Sequence, residues 1–173
     1  MRKIENRLGI KIRYNPILLG GLHNLHGIKA PAFIPAKAKH MIRDCKLIAE
    51  KNNIKFKFNS YFPIRSLNLM RGVLVAEEDN IKNYYIDSIF NTIWQDGLNM
   101  NDQIVIEKVL KNLNVNPKTF ILRSTSSLIK DSLRNKTSTA YERGIFGAPT
   151  YVVNNKIFWG QDRIEFAIKE AEK

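Results

Sequence analysis

Residues Gly144–Arg163 read GIFGAPTYVVNNKIFWGQDR, and their order predicts a β-hairpin. Pro149 has no backbone N–H group, so it fits the first position of a strand better than the middle. Thr150–Val153 is rich in β-branched residues and forms the first predicted strand, and Lys156–Trp159 forms the second. Asn154-Asn155 lies between the two strands, and asparagine tolerates the positive φ angles that a two-residue hairpin turn requires.

The residues after the hairpin predict a turn and then a terminal helix. Gly160 lets the chain turn because it has no Cβ atom. Four apolar residues then share one helical face, namely Ile164, Ala167, Ile168 and Ala171. Asp162 comes just before them. We therefore expect its carboxylate to cap the helix by accepting backbone N–H hydrogen bonds.

Length and composition indicate an ordinary soluble globular chain. It has 173 residues, of which 44% are hydrophobic and 25% are charged, enough for one domain with or without a large insertion. No run approaches the roughly 18 apolar residues of a membrane span. The first 15 residues are charged and lack the apolar segment of a secretory signal, so we expect a cytoplasmic location.

Charge and cysteine content narrow the possible functions. The net charge of +12 favours anionic ligands, but the basic residues are dispersed, which disfavours binding to nucleic acid. Cys45 is the single cysteine, so an intramolecular disulfide and a CxxC redox pair are both excluded. It lies in the apolar stripe of a predicted helix over Ala36–Lys51. We interpret it as a small hydrophobic residue and not as a nucleophile.

The N-terminal segments predict a helix, a strand and a loop in that order. Met1–Leu8 has helical spacing of its apolar residues, and Gly9 fits the stop. Ile10–Tyr14 alternates as a half-buried strand does. Pro16–Pro35 is interrupted by glycine and proline and is predicted to be a packed loop.

Two histidines in that loop, His23 and His26, lie three positions apart. No third ligand stands at a recognisable spacing, so we interpret them as loop histidines without a metal. The middle of the chain is predicted to be helical. The predicted helices are Ser66–Ala76, Ile81–Trp94, Asp102–Leu113 and a pair within Pro117–Arg143 that is divided near Ser124–Ser127.

The ending GxFGxPTxVV…FWGQDR resembles that of the 2-hydroxychromene-2-carboxylate isomerases and kappa-class glutathione transferases, within the DSBA-like group. The segments LLGG and FPIRSLNLMR extend the resemblance over essentially the whole chain. It implies an α/β fold in which residues 1–35 and 144–173 form a thioredoxin-like domain and residues 36–143 form an inserted all-helical subdomain. It also implies that this chain lacks the first strand of that domain, which carries the family's catalytic serine.

The resemblance implies a glutathione site but no catalytic residue and no metal within this chain. The site residues it implies are Lys37, Ala148, Pro149, Gln161 and Asp162. In that family the X-Pro bond is cis and the backbone before it pairs with glutathione, while the aspartate holds the γ-glutamyl end. Ile28 stands where the family has an asparagine that contacts glutathione. The resemblance implies a small anionic aromatic substrate as partner, and we also expect a second copy in a homodimer. From the dispersed charge and the lack of a long apolar run we expect neither nucleic acid nor membrane.

Three functions are therefore carried forward. The first is glutathione-dependent cis–trans isomerisation through reversible thiolate addition, reduced by the missing strand. The second is a DSBA-like thiol–disulfide oxidoreductase, which the absence of CxxC disfavours. The third is a non-catalytic thioredoxin-fold remnant or binding module. A sheet without its first strand exposes an unpaired edge, so we also expect self-association or low stability.

Overall fold

The computed structural model describes residues 1–173 as a helix-rich chain with one small sheet. The helices are α1 (Arg2–Leu8), α2 (Leu19–Leu25), α3 (Pro35–Lys51), α4 (Leu67–Glu78), α5 (Lys82–Trp94), α6 (Gln103–Asn112), α7 (Pro117–Ser124), α8 (Ser127–Glu142) and α9 (Ile164–Ala171). The strands are β1 (Thr150–Val153) and β2 (Lys156–Trp159). Short 3₁₀ turns cover Pro31–Phe33 and Gln161–Arg163.

The predicted hairpin is confirmed with its boundaries. Strands β1 and β2 pair antiparallel, with Thr150 opposite Trp159 and Val153 opposite Lys156. Asn154 and Asn155 both have positive φ angles, 48° and 60°. Such a turn twists in the same sense as the strands it joins, so the pair of asparagines fixes the register. Helix α9 packs against β1, and Ala167 in this helix is buried.

The main hydrophobic core lies among α4 to α8. Its 14 buried residues are Leu69, Val73, Leu74, Val75, Ala76, Tyr85, Ile89, Ile93, Met100, Val109, Leu110, Phe120, Ile129 and Leu133. Helix α4 is central because it contacts α5, α7 and α8. All of these residues fall between positions 36 and 143, whereas the hairpin and α9 pack together elsewhere.

Local capping explains where the middle helices begin. The Asp102 carboxylate accepts the Ile104 N–H at 2.9 Å, and the Asn116 side chain accepts the Thr119 N–H at 3.1 Å. Ser126 caps α8, so the predicted division of Pro117–Arg143 into two helices is confirmed. None of the nine helices is both long enough and apolar enough to cross a membrane.

The predicted strand Ile10–Tyr14 is wrong. The segment has no regular secondary structure, and although burial alternates from Lys11 to Tyr14, no neighbouring strand pairs with it. The Ile12 N–H instead donates to the Glu5 carboxylate at 3.0 Å, and the Tyr14 hydroxyl donates to the same carboxylate at 3.3 Å. A strand requires a partner, and alternation along one segment does not reveal whether a partner exists.

The prediction of a packed loop over Pro16–Pro35 is also wrong in part. Helix α2 occupies its centre and packs against α8. The Leu18 N–H, ahead of the helix, donates to the Thr137 hydroxyl of α8 at 3.0 Å, and Leu22 is completely buried. Tertiary burial therefore overrides the low helix propensity of its two glycines.

Candidate functional site

The approach to the hairpin is held in place by the side chain of His26. Its Nε2 atom lies 2.9 Å from the Ile145 carbonyl oxygen, and a carbonyl can only accept, so the imidazole donates this hydrogen bond. The His26 ring also lies 4.5 Å from the Tyr141 ring, centroid to centroid. The sequence analysis interprets His26 only as a loop histidine without a metal. The structure shows that it anchors the segment that leads into the candidate site.

Gly147 is required by its contact with Trp159. A Cβ atom at position 147 would overlap the indole Nε1 atom and would lie 3.2 Å from two further indole atoms. The indole packs at 4.9 Å against the Phe146 ring, centroid to centroid. The Thr150 hydroxyl donates to the Gly147 carbonyl at 2.6 Å. These contacts set the backbone path just before Ala148.

Ala148 and Pro149 lie exposed at the entry to β1, and the peptide bond between them is cis, as the resemblance implies. The Pro149 carbonyl accepts the Gly160 N–H at 3.0 Å. Hydrogen-bonded and non-hydrogen-bonded pairs alternate along an antiparallel ladder, so the backbone groups of Thr150 and Val152 face away from β2. No other strand pairs there, and the edge of β1 next to Ala148 is open.

The expectation that Asp162 caps the terminal helix is wrong. A 3₁₀ turn over Gln161–Arg163 separates Gly160 from α9, and no side chain caps either element. Asp162 Oδ2 accepts instead from Arg163 Nη1 at 2.7 Å, and both side chains are more than half exposed. Gly160 has a φ angle of 111°, which favours glycine, and the Asp162 carboxylate lies close over it. The carboxylate therefore remains accessible to a ligand.

Lys37 lies in the first turn of α3, at one end of an open cavity of about 560 Å³. The lining residues are Pro31, Ala36, Lys37, His40, Met41 and Asp44. Lys37 and Asp44 are seven positions apart, which places them on one face of the helix with about 10 Å between their backbones. The cavity therefore has a positive end and a negative end.

Asp44 connects this cavity to the hairpin region. Gln161 Nε2 donates to Asp44 Oδ2 at 3.0 Å, although the two residues are 117 positions apart in the chain. Because this hydrogen bond fixes the NH₂ group of Gln161 toward Asp44, the side-chain oxygen of Gln161 is free to accept a hydrogen bond from a ligand. The sequence did not single out Asp44. The one feature of the sequence that could have indicated Asp44 is its position on the same helical face as Lys37.

The structure thus links the predicted residues in two steps. The hydrogen bond between Pro149 and Gly160 joins the cis peptide to the Gln161–Asp162 turn, and the hydrogen bond between Gln161 and Asp44 joins that turn to the cavity. Ile28, where the family has an asparagine, is half-buried and does not line the cavity.

Cys45 is a poor candidate for a nucleophile. It is half-buried in α3. Burial raises the pKa of its thiol, and the neighbouring Asp44 carboxylate adds to the effect. A raised pKa lowers the thiolate fraction at neutral pH, so the thiol is disfavoured for redox or nucleophilic chemistry.

Comparison with known proteins identifies the fold of this arrangement. The family described as the DSBA-like thioredoxin domain matches residues 1–170. A solved structure of a 2-hydroxychromene-2-carboxylate isomerase superimposes with a TM-score of 0.87 and 22% identity, over 99% of this chain and 84% of that chain. The expected fold class, a helix-rich thioredoxin-like fold with a small sheet, is confirmed.

Curated relatives carry two names. A 2-hydroxychromene-2-carboxylate isomerase of Sphingobium xenophagum is 26% identical over 165 residues, which is 94% of this chain and 84% of the relative. An isomerase of the same name from Pseudomonas putida is 24% identical over 95% of this chain and 81% of the relative. Glutathione S-transferase kappa 1 of Rattus norvegicus is 22% identical over 94% of this chain and 78% of the relative.

Proposed function

Because this chain belongs to the family of DSBA-like thioredoxin domains, we propose that it binds glutathione beside Gln161 and acts in 2-hydroxychromene-2-carboxylate isomerisation. Relatives named for that isomerase and for a kappa-class glutathione transferase match nearly its whole length, which supports both parts of the proposal. The division into a thioredoxin-like domain over residues 1–35 and 144–173 and a helical insertion over 36–143 is part of the same proposal.

One observation carries the ligand assignment, namely the two charged ends of the cavity on α3. Glutathione has a carboxylate at its glycine end and both a carboxylate and an ammonium group at its γ-glutamyl end. Lys37 and the positive end of the α3 dipole favour a carboxylate at one end of the cavity. Asp44 favours an ammonium group at the other end, about two helical turns away.

The turn beside the cavity suits the same ligand. The free Gln161 carbonyl oxygen and the exposed Asp162 carboxylate can both accept hydrogen bonds from an ammonium group. The open edge of β1 next to Ala148 can pair with the backbone of an extended peptide. In this arrangement the γ-glutamyl group lies at Asp44 and Asp162, and the cysteinyl group lies at Ala148.

In the proposed reaction the hemiketal carbon–oxygen bond of the chromene ring opens to a phenol and a ketone, and the glutathione thiolate adds to the conjugated double bond of this open cis form. A carbon–sulfur bond forms, and the electron pair of the double bond moves onto the ketone oxygen as an enolate. The former double bond becomes a single bond and rotates. The carbon–sulfur bond then breaks, and the thiolate and the trans product are released. The chain contributes by holding the tripeptide and by attracting the small anionic aromatic substrate, for which a net charge of +12 is favourable.

A binding module without catalysis is the second candidate, and the surroundings of Ala148 and of the cavity favour it. Near Ala148, where the cysteinyl group would lie, the Thr150 hydroxyl already donates to the Gly147 carbonyl. The cavity on α3 offers no replacement. None of its six lining residues carries a hydroxyl or thiol group that could hydrogen-bond to a thiolate. Lys37 and His40 are its only cationic or protonatable donors. Such a site can hold the tripeptide without lowering its thiol pKa by the hydrogen bonding that activation requires.

Calorimetric titration with reduced glutathione tests the site. We expect saturable binding that is weakened up to about fivefold by Lys37→Ala, since an exposed ion pair contributes up to about 1 kcal/mol. Lys39→Ala is the matched control because Lys39 is equally exposed but does not line the cavity. Asp162→Ala should weaken binding far more than Cys45→Ala. Equal effects from Asp162→Ala and Cys45→Ala would contradict the assignment.

Turnover separates the two candidates. With glutathione present, conversion of a 2-hydroxychromene-2-carboxylate to the ring-opened trans-benzylidenepyruvate would show as a change in ultraviolet absorbance. Conversion that requires glutathione supports the isomerase, whereas saturable binding without conversion supports the binding module. Absence of binding in a folded sample would refute both.

A homodimer is also part of the proposal, because Thr150 and Val152 leave backbone groups unpaired at the edge of β1. Light scattering should show a dimer that forms with increasing concentration. A monomer at high concentration that also melts sharply at high temperature would contradict this.

A further inference from the structure

A second cavity lies within the helical part of the chain, away from the glutathione site. It is a partly open space of about 210 Å³, lined mainly by α4, α6 and α7 with Tyr85 of α5 and Asn101. Its lining residues are Asn68, Leu69, Tyr85, Asn101, Gln103, Ile106, Leu110, Phe120, Ile121 and Ser124. None of them belongs to the hairpin, to α3 or to the turn over Gln161–Arg163. We call it the helical crevice.

The floor of the helical crevice is apolar. Leu69, Tyr85, Leu110 and Phe120 are each at most 4% exposed, and the Tyr85 and Phe120 rings lie 5.4 Å apart, centroid to centroid. The Tyr85 hydroxyl donates to the Leu69 carbonyl at 3.2 Å, which satisfies its hydrogen-bonding capacity. Burial raises the pKa of this hydroxyl, so it remains a donor throughout the physiological range.

Gly72 makes room for that floor. It lies in the interior of α4, where glycine costs about 1 kcal/mol relative to alanine. A Cβ atom at this position would overlap the Tyr85 hydroxyl and would lie 2.7 Å from the Tyr85 Cζ atom. The glycine therefore keeps the Tyr85 ring in its place at the bottom of the crevice.

The rim of the helical crevice is polar but carries no charge. The side-chain oxygen of Asn101 accepts the Arg65 backbone N–H at 2.9 Å, and the side-chain oxygen of Asn68 accepts from the Arg71 guanidinium at 3.4 Å. These contacts fix the orientation of both amides and leave their NH₂ groups free to donate. In Gln103 the NH₂ group donates to the Glu107 carboxylate at 2.8 Å, so its side-chain oxygen remains free and its NH₂ group is occupied.

From this arrangement we propose that the helical crevice binds a small, neutral, single-ring aromatic compound that carries one carbonyl or hydroxyl oxygen. The ring lies on the apolar floor, and the oxygen accepts hydrogen bonds from the free amide groups of Asn68 and Asn101. A cavity of about 150 Å³ lined by apolar side chains is large enough for benzene, so about 210 Å³ holds one ring and a small substituent.

The absence of charge in the lining sets the specificity. The lining residues carry no charge, and Arg71, which contacts the rim, already donates to the Asn68 side-chain oxygen. An ionised carboxylate placed between the Asn68 and Asn101 amides would therefore exchange its hydration for neutral donors, which costs free energy that a ketone does not pay. The helical crevice therefore selects a different chemical class from the charged cavity on α3. The proposal does not depend on glutathione binding.

The test uses acetophenone as the neutral probe and benzoate as its anionic counterpart of similar size. Backbone amide shifts in the ¹⁵N spectrum, recorded with and without glutathione, locate each probe. We expect saturable acetophenone shifts confined to α4, α6 and α7, with benzoate binding at least about tenfold more weakly. Shifts centred elsewhere, no saturable shift, or equal binding of the two probes would overturn the proposal.

Two variants on the same helix sharpen the test. Ile121→Phe fills the crevice and should weaken acetophenone binding by about tenfold or more. Leu122→Phe is the matched control, because Leu122 is 71% exposed and does not line the crevice, and it should leave binding unchanged. Equal effects of the two variants would overturn the proposal.

A rim variant keeps the test decisive if Ile121→Phe does not fold. Asn68 is exposed, so Asn68→Ala should preserve the fold. It should weaken acetophenone binding severalfold and leave toluene, which has no hydrogen-bond acceptor, unaffected. Equal weakening of both probes, or of neither, would overturn the assignment of the rim.

Discussion

Replacing Gly72 by alanine gives a sharp test of the packing around Tyr85. The added Cβ atom would overlap the Tyr85 hydroxyl and would lie 2.7 Å from the ring carbon that carries it and 3.3 Å from the Phe120 Cε1 atom. Tyr85 is 3% exposed and Phe120 is 4% exposed. Neither ring can move into solvent, so the side chains or the α4 backbone must shift.

Three contributions set the magnitude. Alanine is favoured over glycine in a helix interior by about 1 kcal/mol, which stabilises the variant. Overpacking a buried site costs about 1–3 kcal/mol. Displacing the Tyr85 hydroxyl from the Leu69 carbonyl costs about 0.5–1.5 kcal/mol more. The sum is a loss of about 0.5–3.5 kcal/mol in the free energy of unfolding. The middle of that range corresponds to about 4–8 °C in melting temperature for a chain of this size.

Thermal and urea unfolding, followed by circular dichroism, measure this loss. Gly20→Ala in α2 is the control, because no heavy atom lies within 4 Å of its added Cβ atom. It should melt at or slightly above the temperature of the parent chain. The double variant Gly72→Ala/Tyr85→Phe removes the overlapping hydroxyl and should recover part of the loss. A Gly72→Ala variant that melts at or above the parent would refute the reasoning.

Two predictions concern titration. Hydrogen bonds from Lys156 and Lys173 lower the pKa of Glu170 to about 2 from 4.5. Because the pKa of Glu170 is depressed in the folded state, the ionised carboxylate stabilises the fold fully above pH 4.5, and this stabilisation is lost as the pH falls toward 2. The difference in free energy of unfolding between the parent chain and Glu170→Gln should therefore shrink between pH 4.5 and 2 in acid-unfolding curves. A constant difference would contradict it. Because the pKa of Cys45 is raised in the folded chain, its rate of alkylation should rise with pH at a higher midpoint than in the urea-unfolded chain. Asp44→Asn should lower this midpoint, and coincident midpoints for folded and unfolded chain would refute the prediction.

The hairpin could be predicted from the sequence because its signals are local. The positive φ angles that Asn154 and Asn155 adopt are a property of the residues themselves, and the β-branched run on one side fixes the strand. The caps at Asp102, Asn116 and Ser126 are equally local, and the helices that they begin were predicted nearly to the residue.

The wrong predictions depend on contacts or turns that the residue pattern of one segment does not show. Ile10–Tyr14 alternates as a strand does, but its hydrogen bonds go to Glu5 and no strand lies beside it. Asp162 stands where a cap is expected, but the 3₁₀ turn that follows Gly160 moves the helix start beyond it. The role of Asp44 depends on Gln161, which is 117 positions away, and no pattern within α3 could reveal that contact.

The two cavities differ in the physical interaction that would hold a ligand, so the dependence of ligand affinity on ionic strength distinguishes binding at one from binding at the other. The charged ends of the α3 cavity are about 10 Å apart, which is close to the screening length of about 10 Å at 0.1 M salt. Binding of a zwitterionic tripeptide there depends on Lys37 and Asp44, and salt weakens both attractions. The helical crevice is lined by apolar groups and neutral amides, so binding of a neutral ketone gains nothing from the net charge of +12 and loses nothing when that charge is screened. A ligand whose affinity falls with salt therefore belongs to the first cavity, and a ligand whose affinity does not belongs to the second.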